Sequence, residues 1–188
     1  MSLLPLGILS QGGGAAPGSY ELISTTLLGG NQSSVTFSSI VSTYTHLQIR
    51  LSTKTDRAFS FDNVSMRFNS DTGANYSTHL LYNNASSLVA DYESANTRIL
   101  VSRVPDAAAA ASEFGINVID ILDYKATTKN KVIKSLYASN TSTIYPWSGI
   151  HGGAWFSTAA ITSITLLPQT GTNFTVNSRF SLYGIKGS

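Results

Sequence analysis

From Tyr20 onward the chain changes character at every second residue. Val35 and Phe37 alternate with Ser34, Thr36 and Ser38; Leu47, Ile49 and Leu51 alternate with His46, Gln48 and Arg50; Val64, Met66 and Phe68 alternate with Ser65, Arg67 and Asn69. A period of two puts alternate side chains on opposite faces of a strand, so each run reads as a β-strand with one buried face. Clusters of turn residues separate the runs, among them Gly29-Gly30-Asn31 and the stretch from Asn69 to Asn75. No amphipathic helix of ordinary length interrupts them. Parallel strands need long crossovers, usually helical, so the pattern excludes a parallel α/β fold and points to an antiparallel sandwich or barrel.

Taken in order, strands are expected over residues 20–28, 35–37, 47–51, 64–68, 76–82, 97–104, 114–124 and 131–138. The last two of these form a long hairpin with its tip at Lys125–Asn130, a solvated Lys- and Thr-rich turn that discourages edge-to-edge pairing. Residues 83–96 read as an excursion and 139–153 as a loop. Ala107–Ala111 follows Asp106, a good N-cap, and reads as a single helical turn. The closing stretch reads as a hairpin. Ile164 and Leu166 lie on one arm, Pro168–Asn173 makes the turn, and Phe174, Val176, Phe180 and Leu182 share one buried face of the other.

Residues 1–19 stand apart from residues 20–188, which form the strand-rich domain. Leu3, Leu4, Leu6, Ile8 and Leu9 make an apolar hook, joined to the first strand by a Gly-rich linker. Apolar side chains on a tether are unfavourable in water, so this arm is expected to dock, either on its own domain or on a neighbouring subunit. The hook lacks a basic flank and is too short for a convincing signal peptide. No apolar run nears the length of about 18 residues that a membrane span requires.

The chain has no cysteine, which excludes disulfides and thiolate metal sites. Charged residues make up only 12% and the net charge is +2, a weak basis for nucleic-acid binding, and none is expected. The three histidines, His46, His79 and His151, show no metal-binding spacing. The oxygen-rich cluster Asn69–Asn75 lacks the spacing and closing Glu of a calcium loop and is explained by turn chemistry. Asp120 and Asp123 stand three apart in a strand, on opposite faces, and make no carboxylate dyad. There is no phosphate loop and no Gly-x-Ser-x-Gly elbow. No cofactor, metal or catalytic centre is therefore expected. Tyr145, Trp147 and His151, in a Gly-rich stretch, are the candidate ligand or interface loop, because exposed aromatics stack on sugars or anchor protein interfaces.

Two stretches carry a resemblance. One is Ile119-Asp-Ile-Leu-Asp-Tyr-Lys-Ala-Thr-Thr-Lys-Asn-Lys131; the other runs from Trp155 through Gly171-Thr-Asn-Phe-Thr to Phe180-Ser-Leu-Tyr-Gly-Ile185. Together they resemble a group of tailed-bacteriophage virion proteins that decorate capsids, build head fibres or sit in tail tips and fibres. The resemblance spans about residues 20–186 and is strongest from Ile116 onward. It implies an antiparallel jelly-roll β-sandwich of about eight to ten strands. It also implies a virion location, other phage structural proteins as partners and a homo-oligomer, most simply a trimer. The expected function is a capsid decoration protein clamping neighbouring subunits, with a tail-tip or fibre domain binding a host glycan as the alternative.

Overall fold

The computed structural model describes residues 19–84, 87–142 and 146–187. The described chain is all-β and forms two antiparallel sheets. In order the strands are β1 (Tyr20–Leu27), β2 (Val35–Phe37), β3 (His46–Thr53), β4 (Asp62–Phe68), β5 (Tyr76–Asn84), β6 (Ser87–Asn96), β7 (Ile99–Val104), β8 (Gly115–Ile121), β9 (Lys131–Ser139), β10 (Trp147–Trp155), β11 (Ile164–Pro168) and β12 (Arg179–Ile185). The large sheet runs β1-β12-β3-β8-β9-β10-β5-β6 and the small one β2-β11-β4-β7. The antiparallel sandwich expected from the alternation is the one found.

Its core lies between the sheets. Leu47, Ile49 and Leu51 of β3, Ile119 and Ile121 of β8, and Phe180 and Leu182 of β12 face Val64, Met66 and Phe68 of β4, Ile99 and Val101 of β7, and Ile164 and Leu166 of β11. These are the apolar positions of the alternating runs. Burying each large aliphatic side chain contributes about 1.5–3 kcal/mol, which offsets the ordering of the chain.

The closing stretch is corrected. Ile164–Pro168 pairs with β2 and β4 in the small sheet, whereas Arg179–Ile185 pairs with β1 and β3 in the large one. The two are not a hairpin: the chain between them crosses from one sheet to the other. Two carboxylates pin the crossing, the buried Asp62 and the half-buried Asp56. Asp62 accepts from the amides of Thr170 and Gly171, and Asp56 accepts from the amide and side chain of Asn173. Phe174 reaches the core, but Val176 does not share its face and is exposed, because it lies inside the turn closed by the Ser178 amide on the Thr175 carbonyl, with Asn177 at φ of 68°.

Three further expectations change. Residues 83–96 are no excursion: Ser87–Asn96 is the outer strand of the large sheet, paired with β5. Residues 139–153 are not all loop, since Trp147–Trp155 is a central strand between β9 and β5. Ala107–Ala111 makes turns rather than a helix; the buried carboxylate of Asp106 accepts from the amides of Ala108 and Phe59. The β8–β9 hairpin is present as expected, with an exposed tip. From beneath, the buried ammonium of Lys131 closes that tip by donating to the carbonyls of Ala126, Lys129 and Thr158.

Candidate functional site: the two faces of the large sheet

Inward, the large sheet meets β7 through polar side chains. Thr78 Oγ1 accepts from the Leu100 amide, and His151 Nδ1 lies 3.1 Å from the Leu100 carbonyl. Asn117 Nδ2 and Ser135 Oγ both donate to the Val101 carbonyl. β7 is the edge of the small sheet. Its outer backbone groups are buried and would be orphaned, so the facing sheet supplies partners. Edge strands left bare invite pairing with other chains, and this edge is closed.

That seam fixes where two of the candidate residues go. His151 is fully buried, and burial, countered in part by the hydrogen bond to Leu100, pushes its pKa down to about 4. At neutral pH it is an uncharged hydrogen-bonding residue. Trp147 also points inward, its ring against Phe61 at 5.0 Å and beneath the Arg103 guanidinium at 4.6 Å. Neither side chain is presented on a loop, and Trp147 offers no free ring face to a sugar. Tyr145 and the arm residues Leu3, Leu4, Leu6, Ile8 and Leu9 lie outside the described residues.

The oxygen-rich turn is also occupied. Asp71 accepts from the Gly73 amide at 2.8 Å, Asn75 Nδ2 at 3.0 Å and the indole N–H of Trp155 at 2.7 Å. The Trp155 donor, then those of Gly73 and Asn75, hold its carboxyl below the usual range. Three donors aimed at one carboxylate are a poor setting for a cation. Among the described residues, no three His, Asp or Glu side chains are placed to share a metal ion.

Outward, the same sheet is different. Val118 pairs with Leu136, Leu136 with Ile150, Ile150 with Leu81 and Leu81 with Ala90, so one straight row crosses β8, β9, β10, β5 and β6. Beside it lie Ile116 and Leu88. Their exposures are high for such side chains: 56% for Leu136, 48% for Ile150, 60% for Ile116 and 74% for Leu88. Next to the row runs a polar ladder with a net charge of +1, in which Arg50 donates to Gln48, Gln48 to Asp120, and Lys134 pairs with Asp120 at 3.1 Å. Beyond the ladder Leu122 and Val132 are again exposed.

Three shallow depressions mark this face. One of about 260 Å³ is lined by Leu81, Leu88, Leu136 and Ile150. Another of about 320 Å³ has Gly152 and Ala154 as its floor and His79 and Val132 as walls. The third, of about 310 Å³, lies between Leu122, Val132 and the Asp120–Lys134 pair. A Cβ added at Gly152 would meet nothing within 4 Å, so the floor is open to an approaching backbone. Sequence reasoning missed this face. Its signal was present, because β8 and β9 carry apolar residues at both parities, as strands covered on both sides do.

No protein-family profile matches the chain, and no curated protein or solved structure matches it.

Proposed function

We propose that this chain is a non-enzymatic structural protein that holds neighbouring proteins through the outward face of its large sheet. The observation that carries this is the exposed apolar row from Val118 to Ala90. Contiguous apolar surface of this kind marks interaction sites. The displaced titratable groups have structural causes: the hydrogen bond from Lys129 lowers Asp123, and burial is opposed by bonds from Asn173 at Asp56. The site of action is thus a surface rather than a cleft.

The motif resemblance gives this reading its setting, a bacteriophage virion in which the chain clamps neighbouring subunits as a decoration protein. The nested pairing of β3 with β12, β4 with β11, and β5 with β10 supports the jelly-roll form of the sandwich, although β8 and β9 join the large sheet instead of the small one. Five strands at about 4.8 Å spacing, over the rows from Ile116 to Leu122, give a footprint of about 400 Å². A stable pairwise interface buries about 800 Å² per partner, so this face suits an array in which each copy touches several neighbours. The glycan-binding alternative loses the Trp147 platform on which it was built.

The test is co-sedimentation of the purified chain with phage capsids that lack it. Wild type is expected to pellet with the particles, and a folded variant with Leu136→Lys and Ile150→Lys is expected to stay in the supernatant. Equal pelleting would refute the assignment of this face.

A further inference from the structure

We infer that the outer edge of β6 pairs with the same edge of a second copy, antiparallel about a two-fold axis through Ala90, joining two large sheets into one. The inference rests on the reading of the outward face as an interaction surface and names one partner for it. Backbone, side chains and register each bear on it.

β6 ends the large sheet, and among the described residues nothing pairs with its far edge. The Tyr92 amide donates to the carboxylate of its own neighbour Asp91 at 2.8 Å and so does not bond across to β5. In an antiparallel ladder the backbone groups turned away from the inner strand recur at every second residue, so Leu88, Ala90 and Tyr92 offer theirs to an incoming strand. The regular edge runs from Ser87 to Glu93; past it the ladder shifts register and Ala95 has φ of 50°. The strand holds no Lys or Pro, two common guards of an open edge.

Leu88 and Tyr92 share the outward face with Ala90. At 74% and 66% they are the most exposed large apolar side chains among the described residues. An open edge flanked by such side chains is a template for another strand.

Charge selects the register. Pairing must set Leu88, Ala90 and Tyr92 against one another, because these carry the free backbone groups, and like charges directly opposite are unfavourable. An axis at Asp91 sets that residue against itself, and one at Tyr92 sets Asp91 against Glu93. An axis at Val89 or Leu88 pairs less of the regular edge and leaves Tyr92 outside it. The axis at Ala90 sets Leu88 against Tyr92, Asp91 against Val89 and Glu93 against Ser87, with no like charges opposed. The two most exposed apolar side chains then cover each other, and the smallest lies on the axis. The Tyr92 amide exchanges the Asp91 carboxylate for the Leu88 carbonyl of the second copy. Because Leu81 pairs with Ala90, the apolar row from Val118 to Ala90 continues through the second copy's Ala90 to its Val118. Such an isologous contact closes on itself and leaves neither β6 edge open.

Sedimentation velocity of the whole free chain, over about a hundredfold range of concentration, tests this, since a single edge pairing is a small and weak interface. Wild type is expected to pass from monomer to dimer as concentration rises. Ala90→Pro should weaken the dimer at least about tenfold, because Pro removes a donor aimed away from β5 and is tolerated on an edge strand. Leu88→Lys with Tyr92→Lys sets like charges opposite and should do the same, whereas Leu88→Lys with Tyr92→Glu sets unlike charges there and should restore the dimer. A wild type that stays monomeric throughout, or an Ala90→Pro variant that dimerises unchanged, would overturn the pairing. Equal behaviour of the two charge variants would overturn the Ala90 axis. The Leu136→Lys, Ile150→Lys variant leaves β6 intact and should still dimerise, so this test and capsid co-sedimentation fail separately.

Discussion

Replacing Asp71 by Asn should destabilise the fold by about 1–3 kcal/mol, the cost of leaving a buried donor without its acceptor. The carboxylate satisfies donors on both oxygens: Gly73 N on Oδ1, and Asn75 Nδ2 with Trp155 Nε1 on Oδ2. An amide keeps one acceptor oxygen and turns an NH2 toward the other set, so either the turn or the buried indole loses its partner. For a chain of this size, about 2 kcal/mol corresponds to a fall in Tm of roughly 4–8 °C. Thermal unfolding followed by tryptophan fluorescence reads this directly, with Trp155 one of two tryptophans. The pH dependence adds a second condition. The hydrogen bonds from Trp155, Gly73 and Asn75 hold the Asp71 pKa in the fold below its ordinary value, so its stabilisation is fully present above the unfolded pKa and is lost as pH falls through the folded one. The gap between wild type and Asp71→Asn should therefore be widest near neutrality and shrink in acid. Equal Tm values at neutral pH, or a gap that persists unchanged in acid, would refute this account of the turn.

His151 makes a related prediction. Burial lowers its pKa from 6.5 to about 4, so the unfolded chain binds the extra proton between those values and stability falls as pH drops through that window, by about 3 kcal/mol. Urea unfolding at neutral pH and near pH 4 should show this loss in wild type and a smaller one in His151→Gln; equal losses would remove His151 as the cause. Two adjacent glycines should behave oppositely. A Cβ at Gly153 would lie 2.3 Å from Ile99 Cγ2, so Gly153→Ala is expected to cost about 1–3 kcal/mol. Gly152→Ala, with nothing within 4 Å, should change stability by less than about 0.5 kcal/mol in the same denaturant titration.

The strands that sequence alternation revealed were those with one buried and one wetted face, such as β3 and β4. β6 escaped because it is an outer strand with little buried surface, so its residues show no periodic contrast. β10 escaped for the opposite reason. It is an inner strand of the large sheet, where on its buried face Gly149 abuts the Tyr137 hydroxyl and Gly153 abuts Ile99, and glycines required by close approach look locally like a loop. The false closing hairpin shows a different limit. Alternation in β11 and β12 correctly marked two strands, but local pattern does not encode which strand pairs with which. The exposed apolar face was hidden the same way. Trp147 and His151 looked like loop residues and are interior, whereas Leu136 and Ile150 looked like ordinary strand residues and are on the surface.

The position of β12 governs the order in which this protein can be built. It lies between β1 and β3, and among the described residues β1 has no other neighbour in the sheet. During synthesis β1 emerges about 160 residues before the strand it pairs with, Arg179 being opposite Leu27 and Ile185 opposite Tyr20. Until then β1 stays unpaired and β3 keeps an open edge, available to other chains. Such distant pairings make folding slow, because loop closure precedes any return from the contacts. A nascent chain stalled before residue 179 would thus be a species prone to aggregate, and completion of the last strand is the event that seals the sheet.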